Sequence, residues 1–131
     1  MKRVLLFLLL LLPVCGAMAQ TYKFNTTSFA YKVYVNDQWS DWSDWESSHM
    51  LVVMNLERKV INIYSENRQD YDIYEYLGEE TDNSGGKSLR LNCVNEDGLR
   101  CQIRLRIQSD GSKQLYVDFN DMMWVYGLED R

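Results

Sequence analysis

The sequence predicts an all-β fold: an antiparallel up-and-down barrel or strongly curled meander of about eight strands, with a β-sandwich as the alternative. Between Leu89 and Phe119, apolar residues fall at every second position, which is the period of a strand with one buried and one solvated face. Turn-forming sequences interrupt this alternation at residues 95–98 and 109–111. Beyond the first 19 residues, no segment has sustained helical spacing. We therefore expect three antiparallel strands in this part of the chain.

The preceding half of the chain predicts further strands. Residues 21–35 are rich in Tyr, Phe, Thr and Val, and their apolar phase changes near residues 26–28, which indicates one long strand with a bulge or two short strands. Further strands are expected at residues 50–56, 60–65, 70–77 and 122–128. Residues 79–87 have the composition of a loop, acidic and then NSGG. Closing the sheet would remove edges that invite pairing with another chain.

The N-terminal segment has the features of an export signal. Two basic residues precede an apolar run at residues 4–12, and a small-residue site ends at Ala19. We expect cleavage after Ala19, which leaves a single all-β domain at residues 20–131 in the periplasm or the medium. The apolar run is too short for stable membrane insertion. Lipid attachment at Cys15 is an alternative that its bulky neighbouring residue disfavours.

Removal of the signal leaves two cysteines in an exported protein. Cys93 and Cys101 are equidistant from Asp97, near the middle of a predicted hairpin. We expect them to face each other and form a disulfide, which for such a short loop contributes about 2 to 3 kcal/mol in the chain-entropy model. A redox-active pair is normally closer in sequence, as in Cys-x-x-Cys. The predicted role of this pair is therefore structural.

The charge balance excludes some partners. The full chain has a formal charge of −5, and without the two basic residues of the signal the charge is −7. Such a protein repels phosphate backbones, so we expect neither nucleic acid nor anionic lipid as a partner. Four arginines of the C-terminal meander are expected to pair across strands with Asp118, Tyr116 and nearby carboxylates. They are Arg90, Arg100, Arg104 and Arg106.

The most unusual local sequence is WSDWSDWE at residues 39–46. Its first five residues resemble the Trp-Ser-x-Trp-Ser box of class I cytokine receptors, and the tryptophan spacing resembles the Trp-x-x-Trp of thrombospondin repeats. The receptor box stacks against an arginine ladder, whereas no Arg or Lys lies between Val33 and Glu57. We therefore interpret the match as a coincidence.

Two roles are open for the tryptophans of this sequence. Aromatic faces stack on sugar rings and carboxylates bind hydroxyl groups, so the segment is a candidate ligand platform. The candidate ligand-binding residues are Trp39, Trp42, Trp45 and Asp41. Alternatively, the tryptophans fold under the sheet and plug the end of a small barrel, with one edge of each ring in contact with water.

Catalytic chemistry is not indicated. His49 is the only histidine, and the chain has neither a nucleophile-elbow motif nor a spaced cluster of metal ligands. We therefore expect no catalytic residue, no metal and no cofactor. A pair of glycosidase-type carboxylates is a remaining alternative, because that reaction needs only two acids at a suitable separation. The candidates are Asp41, Asp44, Glu46 and Asp70.

The combination of these features resembles a known group of proteins. The signal, the all-β length, the Trp-x-x-Trp turn after a long first strand, the Cys-hairpin-Cys and the terminal MMWVY strand are similar to small exported proteins of unassigned role from gut Bacteroidetes. The resemblance implies a calycin-like, lipocalin-related barrel in an exported protein.

Three functions are compatible with these sequence features. The first is a non-catalytic binding module whose mouth, near residues 39–46, holds a small apolar molecule or a glycan, or docks a protein partner. The second is a structural, interaction or inhibitor-type protein with a filled barrel. The third, the least supported, is a periplasmic hydrolase that uses carboxylates. An open cavity would favour the first function, and a packed interior would favour the second.

Overall fold

The structure, a computed structural model, describes residues 21–131. The predicted signal and Cys15 lie outside this range. The strands, numbered in chain order, are β1 (Thr21–Val35), β2 (Gln38–Trp39), β3 (Glu46–Ser47), β4 (Leu51–Asn55), β5 (Val60–Ile63), β6 (Gln69–Thr81), β7 (Lys87–Asn95), β8 (Arg100–Ile107), β9 (Lys113–Asp118) and β10 (Met122–Asp130).

Eight of these strands form a closed antiparallel barrel. From β4 to β10 each strand pairs with the next in the chain, and β1 closes the ring by pairing with both β4 and β10. The predicted all-β class and the up-and-down barrel are confirmed, and the β-sandwich alternative is not adopted. Nowhere in residues 21–131 is there a helix with the length and apolar character needed to cross a membrane.

The first strand has the bulge that its change of apolar phase predicts. The register of β1 against β10 shifts between Thr26 and Ser28. Gly127 lies opposite Ser28, where a Cβ atom would collide with the Ser28 hydroxyl oxygen, so glycine permits the close approach of the two strands. The predicted turn after β1 contains Asn36 and Asp37 with φ angles of 53° and 64°. Positive φ at both positions is what a two-residue type I′ hairpin requires.

The partner of β1 changes along its length. Its first residues pair with β4, whereas its second half pairs with β2 and β3. Residues 38–47, which run along this second half, are called the strap below. Along the edge opposite β10, β1 is thus bordered first by β4 and then by the strap.

Alternate residues of each strand fill the barrel interior. The side chains without solvent exposure are Val52, Met54, Ile61, Ile63, Leu91, Cys93, Ile103, Leu115 and Val117. Several of them belong to the alternating face that predicts the C-terminal meander. Burial of one such aliphatic side chain stabilises the fold by about 1.5 to 3 kcal/mol.

Cys93 and Cys101 lie directly opposite each other on β7 and β8, as the symmetric hairpin predicts. The structure does not contain the predicted disulfide, because both residues are buried free thiols. Desolvation raises the pKa of each thiol to about 12, so the thiolate that reacts in disulfide formation is scarce at neutral pH. Sequence spacing thus predicts the strand register but not the oxidation state of the pair.

The arginines of the meander mostly pair as expected. Arg104 Nε donates a hydrogen bond to Asp118 Oδ2 at 2.8 Å. Arg106 lies 3.0 Å and Arg90 3.9 Å from a carboxylate oxygen of a neighbouring segment. Arg100 differs, because its guanidinium lies over an aromatic ring instead.

The loop predicted at residues 79–87 is shorter than expected. The flanking strands β6 and β7 extend into it, so only residues 82–86 lie outside strands. Two register shifts in β6 place Tyr76 and Glu79 opposite inward-facing leucines of β7. Pairing of β6 with β7 therefore extends both strands into a segment whose acidic and glycine-rich composition favours a loop.

Candidate functional site

One end of the barrel interior is filled by aromatic side chains. Phe119 stacks on Trp124 with 5.5 Å between ring centroids. The Gln69 amide accepts a hydrogen bond from the Tyr71 hydroxyl at 2.6 Å and donates one to the Tyr126 hydroxyl oxygen at 3.1 Å. Burial raises the pKa of both tyrosines, so both remain protonated. Phe119 and Trp124 line an outer recess of about 430 Å³ at this closed end.

The opposite, open end of the barrel contains a cavity of about 750 Å³. Its apolar and aromatic wall comprises Tyr22, Phe24, Leu56, Tyr76, Leu89, Leu105 and Ile107. Phe24 and Leu105 are the most buried of these, at 4% and 7% exposure, and form the floor. The charged residues of the lining are Lys23, Glu79, Lys87, Lys113, Asp130 and Arg131.

The strand alternation explains why charge lies above an apolar floor. On β7, Lys87 is two residues from Leu89 and therefore continues the same inward-facing row. On β9, Lys113 stands in the same relation to Leu115. The Lys113 ammonium lies 3.2 Å from Asp130 Oδ1 on the neighbouring strand. The inward rows thus change from apolar to charged at the open end.

The strap lies on the outer wall of the barrel, held to β1 by two serines. Ser40 donates its N–H to the Val33 carbonyl at 2.8 Å, and its Oγ accepts the Val33 N–H at 3.0 Å. Ser43 makes the same pair of bonds with Tyr31 at 2.8 and 2.9 Å. Two serines three residues apart on the strap thus bond two residues of β1 that are two positions apart. In both cases a serine hydroxyl oxygen accepts the hydrogen bond that a backbone carbonyl would accept in a regular sheet.

Cations lie over aromatic rings along the outer wall. The Lys32 ammonium lies 5.7 Å from the Trp39 ring centroid and 4.7 Å from that of Trp42. Trp42 meets Tyr116 edge-on at 6.2 Å, and the Arg104 guanidinium lies 4.2 Å from the Tyr116 centroid. We call these five residues the ladder. No Arg or Lys lies within the tryptophan sequence itself, so these cations come from β1 and β8.

The sequence-predicted ligand residues therefore lie outside the barrel. None of Trp39, Asp41, Trp42 and Trp45 lines the open-end cavity, and the tryptophans do not plug an end. Trp42 is 40% and Trp45 53% exposed. The cavity lining was not predicted from the sequence. The signal for it in the sequence is Lys87, which continues the inward-facing apolar row of Leu89.

The candidate catalytic carboxylates fall into two places. Asp41, Asp44 and Glu46 are exposed on the strap, whereas Asp70 lies on β6 at the closed end. Asp70 accepts hydrogen bonds from Arg68 and Asn62, both at 2.8 Å, and the bond from Arg68 is the main reason that its pKa is lowered. Among residues 21–131, no group of three or more His, Cys, Asp or Glu side chains is placed to hold a metal ion.

The barrel and the strap present two distinct surfaces. The open end offers a cavity with an apolar floor and a charged rim, and the outer wall offers exposed tryptophans on the strap. A scan against protein-family models finds no match, and searches of curated proteins and of solved structures find no similar protein either.

Proposed function

We propose that the protein is an exported, non-catalytic module that binds a small molecule in the open-end cavity. The supporting observation is the cavity of about 750 Å³ with an apolar floor and a charged rim. Ligand sites in proteins typically have volumes of about 300 to 1,000 Å³, mostly apolar walls and a few polar groups. The cavity agrees with this description in volume and in lining.

The packing favours this function over that of a barrel filled throughout. The closed end and the middle of the barrel are occupied by packed side chains, which form the base of the cavity. At the open end, Tyr22 and Ile107 line the cavity and remain 42% and 38% exposed. Apolar side chains that stay accessible inside a concave wall are suited to contact a ligand.

Recognition of a glycan or a protein by the strap is a second candidate. Trp42 and Trp45 expose large parts of their rings beside Asp41 and Asp44, the combination that stacks on a sugar and binds its hydroxyl groups. One face of Trp42 is already engaged by Lys32, which reduces the area open to a ligand. We therefore place this function second.

Titration with the neutral fluorophore N-phenyl-1-naphthylamine tests the site. We expect saturable binding by the wild-type protein, with nuclear magnetic resonance shifts confined to the cavity lining. Leu89→Trp, which fills the cavity at a partly exposed position, should abolish binding, whereas Trp45→Ala should retain it. Circular dichroism establishes that both variants fold. Absence of saturable binding, or shifts confined to the strap, would contradict the proposed site.

Export is part of the proposal and has a separate test. When the full chain is expressed in a Gram-negative host, the mass of the protein from the periplasmic fraction should correspond to residues 20–131, with Gln20 first. A protein that retains the N-terminal segment would contradict cleavage after Ala19, and added lipid mass at Cys15 would indicate anchoring instead.

A further inference from the structure

We propose that the closed end of the barrel carries a second binding site, which takes a neutral sugar unit of a glycan. The site is the recess of about 430 Å³ lined by the loop between β5 and β6, the turn between β7 and β8, and the aromatic pair Phe119 and Trp124. It is separate from the open-end cavity, because the two have no lining residue in common.

The base of the recess is aromatic. Phe119 continues the inward-facing row of Val117, and its N–H donates a hydrogen bond to the Met122 carbonyl at 2.8 Å across the turn between β9 and β10. The Phe119 and Trp124 rings pack on the barrel core, yet both are only partly buried and both line the recess. Aromatic surface that stays accessible in a concave wall is suited to stack on the C–H face of a pyranose ring.

The rest of the lining consists mostly of planar polar side chains. Among the described residues around the recess there is no Lys, Arg or His and no aliphatic side chain. A sugar hydroxyl both donates and accepts hydrogen bonds, so it can bond a carboxylate and an amide NH₂ at the same time. The amide and carboxylate groups of the lining belong to Glu66, Asn67, Gln69, Asp70, Asn95 and Glu96.

Two of these groups are held by one atom and have the other atom free. Asn95 Oδ1 accepts two backbone N–H groups of the turn between β7 and β8, at 3.0 and 2.9 Å, whereas Asn95 Nδ2 makes no hydrogen bond with residues 21–131. Asp70 Oδ1 accepts hydrogen bonds from the side chains of Arg68 and Asn62, and Asp70 Oδ2 has no such bond. The recess therefore offers an oriented donor and an oriented acceptor.

Gln69 connects the recess to the barrel core. Its Nε2 donates to the Tyr126 hydroxyl at 3.1 Å and to Ser65 Oγ at 3.4 Å, and its Oε1 accepts from the Tyr71 hydroxyl at 2.6 Å. Ser65 Oγ in turn donates to the Asn67 carbonyl at 2.6 Å. The loop between β5 and β6 is thus fixed to the barrel before a ligand arrives, which reduces the entropy cost of binding.

The charge of the recess restricts the kind of sugar. Asp70 forms an ion pair with Arg68 at 2.8 Å, whereas Glu66 and Glu96 take part in no ion pair within the 21–131 segment. The recess therefore has a net negative charge, and the carboxylate of a uronic acid would meet like charge there. A simple organic cation would bond the carboxylates but would leave the amides unused. A neutral sugar uses both kinds of group.

Nuclear magnetic resonance titration of the four indole N–H signals tests the site. The probes are the methyl glycosides of glucose, galactose and mannose, the corresponding uronates, and tetramethylammonium. We expect at least one neutral glycoside to shift the Trp124 signal saturably, with a dissociation constant on the order of 1 mM, while the three strap tryptophans do not respond. The uronate of the same sugar should bind about tenfold more weakly.

Two pairs of variants locate the sugar. Asn67→Ala should weaken binding about fivefold through the loss of one hydrogen bond, whereas Asn83→Ala, at an exposed loop position outside the recess, should not. Neither side chain makes a hydrogen bond with residues 21–131. Phe119→Leu, which removes the ring but keeps apolar bulk, should weaken binding about three- to tenfold, and Trp45→Leu on the strap should have no effect. Circular dichroism establishes the folding of each variant.

Each outcome supports or overturns the proposal. If no neutral glycoside shifts the Trp124 signal, or if the strap signals move instead, the closed end is not a sugar site. If the uronates or tetramethylammonium bind as tightly as the neutral glycosides, the ligand class is wrong. If Asn67→Ala and Asn83→Ala have equal effects, the assignment to the recess is overturned. A saturating glycoside should leave the binding of N-phenyl-1-naphthylamine unchanged, so the proposals for the two ends succeed or fail separately.

Discussion

Ser40 satisfies both backbone hydrogen-bonding groups of Val33, donating its N–H at 2.8 Å and accepting through its Oγ at 3.0 Å. Ser43 repeats the arrangement with Tyr31. The strap is thus attached to the barrel by two serine side chains, and a serine-to-alanine substitution can remove the hydrogen bond of each one separately.

Ser40→Ala should destabilise the protein by about 0.5 to 1 kcal/mol, because the Val33 N–H loses its side-chain acceptor at an exposed position, where water replaces part of the bond. Ser43→Ala should have a similar effect. Urea unfolding followed by circular dichroism measures both changes. Ser47→Ala is the control, because the Ser47 side chain makes no hydrogen bond with residues 21–131. Equal stability of Ser40→Ala and Ser47→Ala would show that these serines do not hold the strap.

The ladder predicts energetic coupling between Lys32 and Trp42. Lys32→Met retains the apolar stem but removes the charge that lies 4.7 Å from the Trp42 ring centroid. In a double-mutant cycle with Trp42→Leu, we expect a coupling of about 0.5 to 1 kcal/mol, the usual strength of a cation–π contact at an exposed site. Lys59→Met combined with Trp42→Leu should show no coupling. A coupling energy of zero between Lys32 and Trp42 would contradict the ladder.

The two cysteines should be inert in the native state. Burial raises the pKa of Cys93 and Cys101 to about 12, and neither sulfur is readily accessible to reagent. With reduced protein at pH 8, we expect a thiol-specific disulfide reagent to react only at the rate of unfolding, and with both thiols at once in denaturant. Fast native labelling of either residue would contradict the buried arrangement.

The loop between β6 and β7 should make the protein sensitive to acid. Hydrogen bonds from Ser84, the Gly86 N–H and Arg106 lower the Asp82 pKa from 3.8 to about 2. A carboxyl whose pKa is lower in the folded state stabilises the protein above its unfolded pKa, and this contribution is lost as the pH falls through the folded pKa. Asp82→Asn should therefore lose less stability than the wild type between pH 4 and pH 2.

Chemical denaturation at several pH values in this range measures the difference. Glu129→Gln, which removes an exposed carboxyl with no hydrogen bond to residues 21–131, is the matched control and should follow the wild-type curve. If Asp82→Asn also follows the wild-type curve, the loop carboxyl does not contribute to acid unfolding.

The fold was largely predictable because its signals are local. The alternation around Cys93 and Cys101 shows which faces are buried, and the turn between them determines the register. The change of apolar phase near Thr26 marks the bulge of β1. Each of these features depends on residues that are close in sequence, so periodicity and turn composition are sufficient to find them.

The candidate site depends on contacts that sequence does not display. Lys32 and Tyr116 meet at the same Trp42 ring although they belong to strands far apart in the chain. The cavity depends on where each inward-facing row ends, and on β6 two register shifts change which side chains face inward. Spacing shows that Lys87 continues an inward-facing row, but neither the ladder nor the cavity follows from it, because both arise only when the ring of strands closes.

Pairing of β1 with β10 joins segments separated by nearly the whole length of the domain. The entropy cost of bringing two segments together rises with the length of chain between them, so this union is expected to be among the last events in folding. β10 must therefore be available before the first strand acquires its second neighbour. Until then, both margins of the sheet remain open to other chains, and loss of β10 by truncation would make this aggregation-prone state permanent.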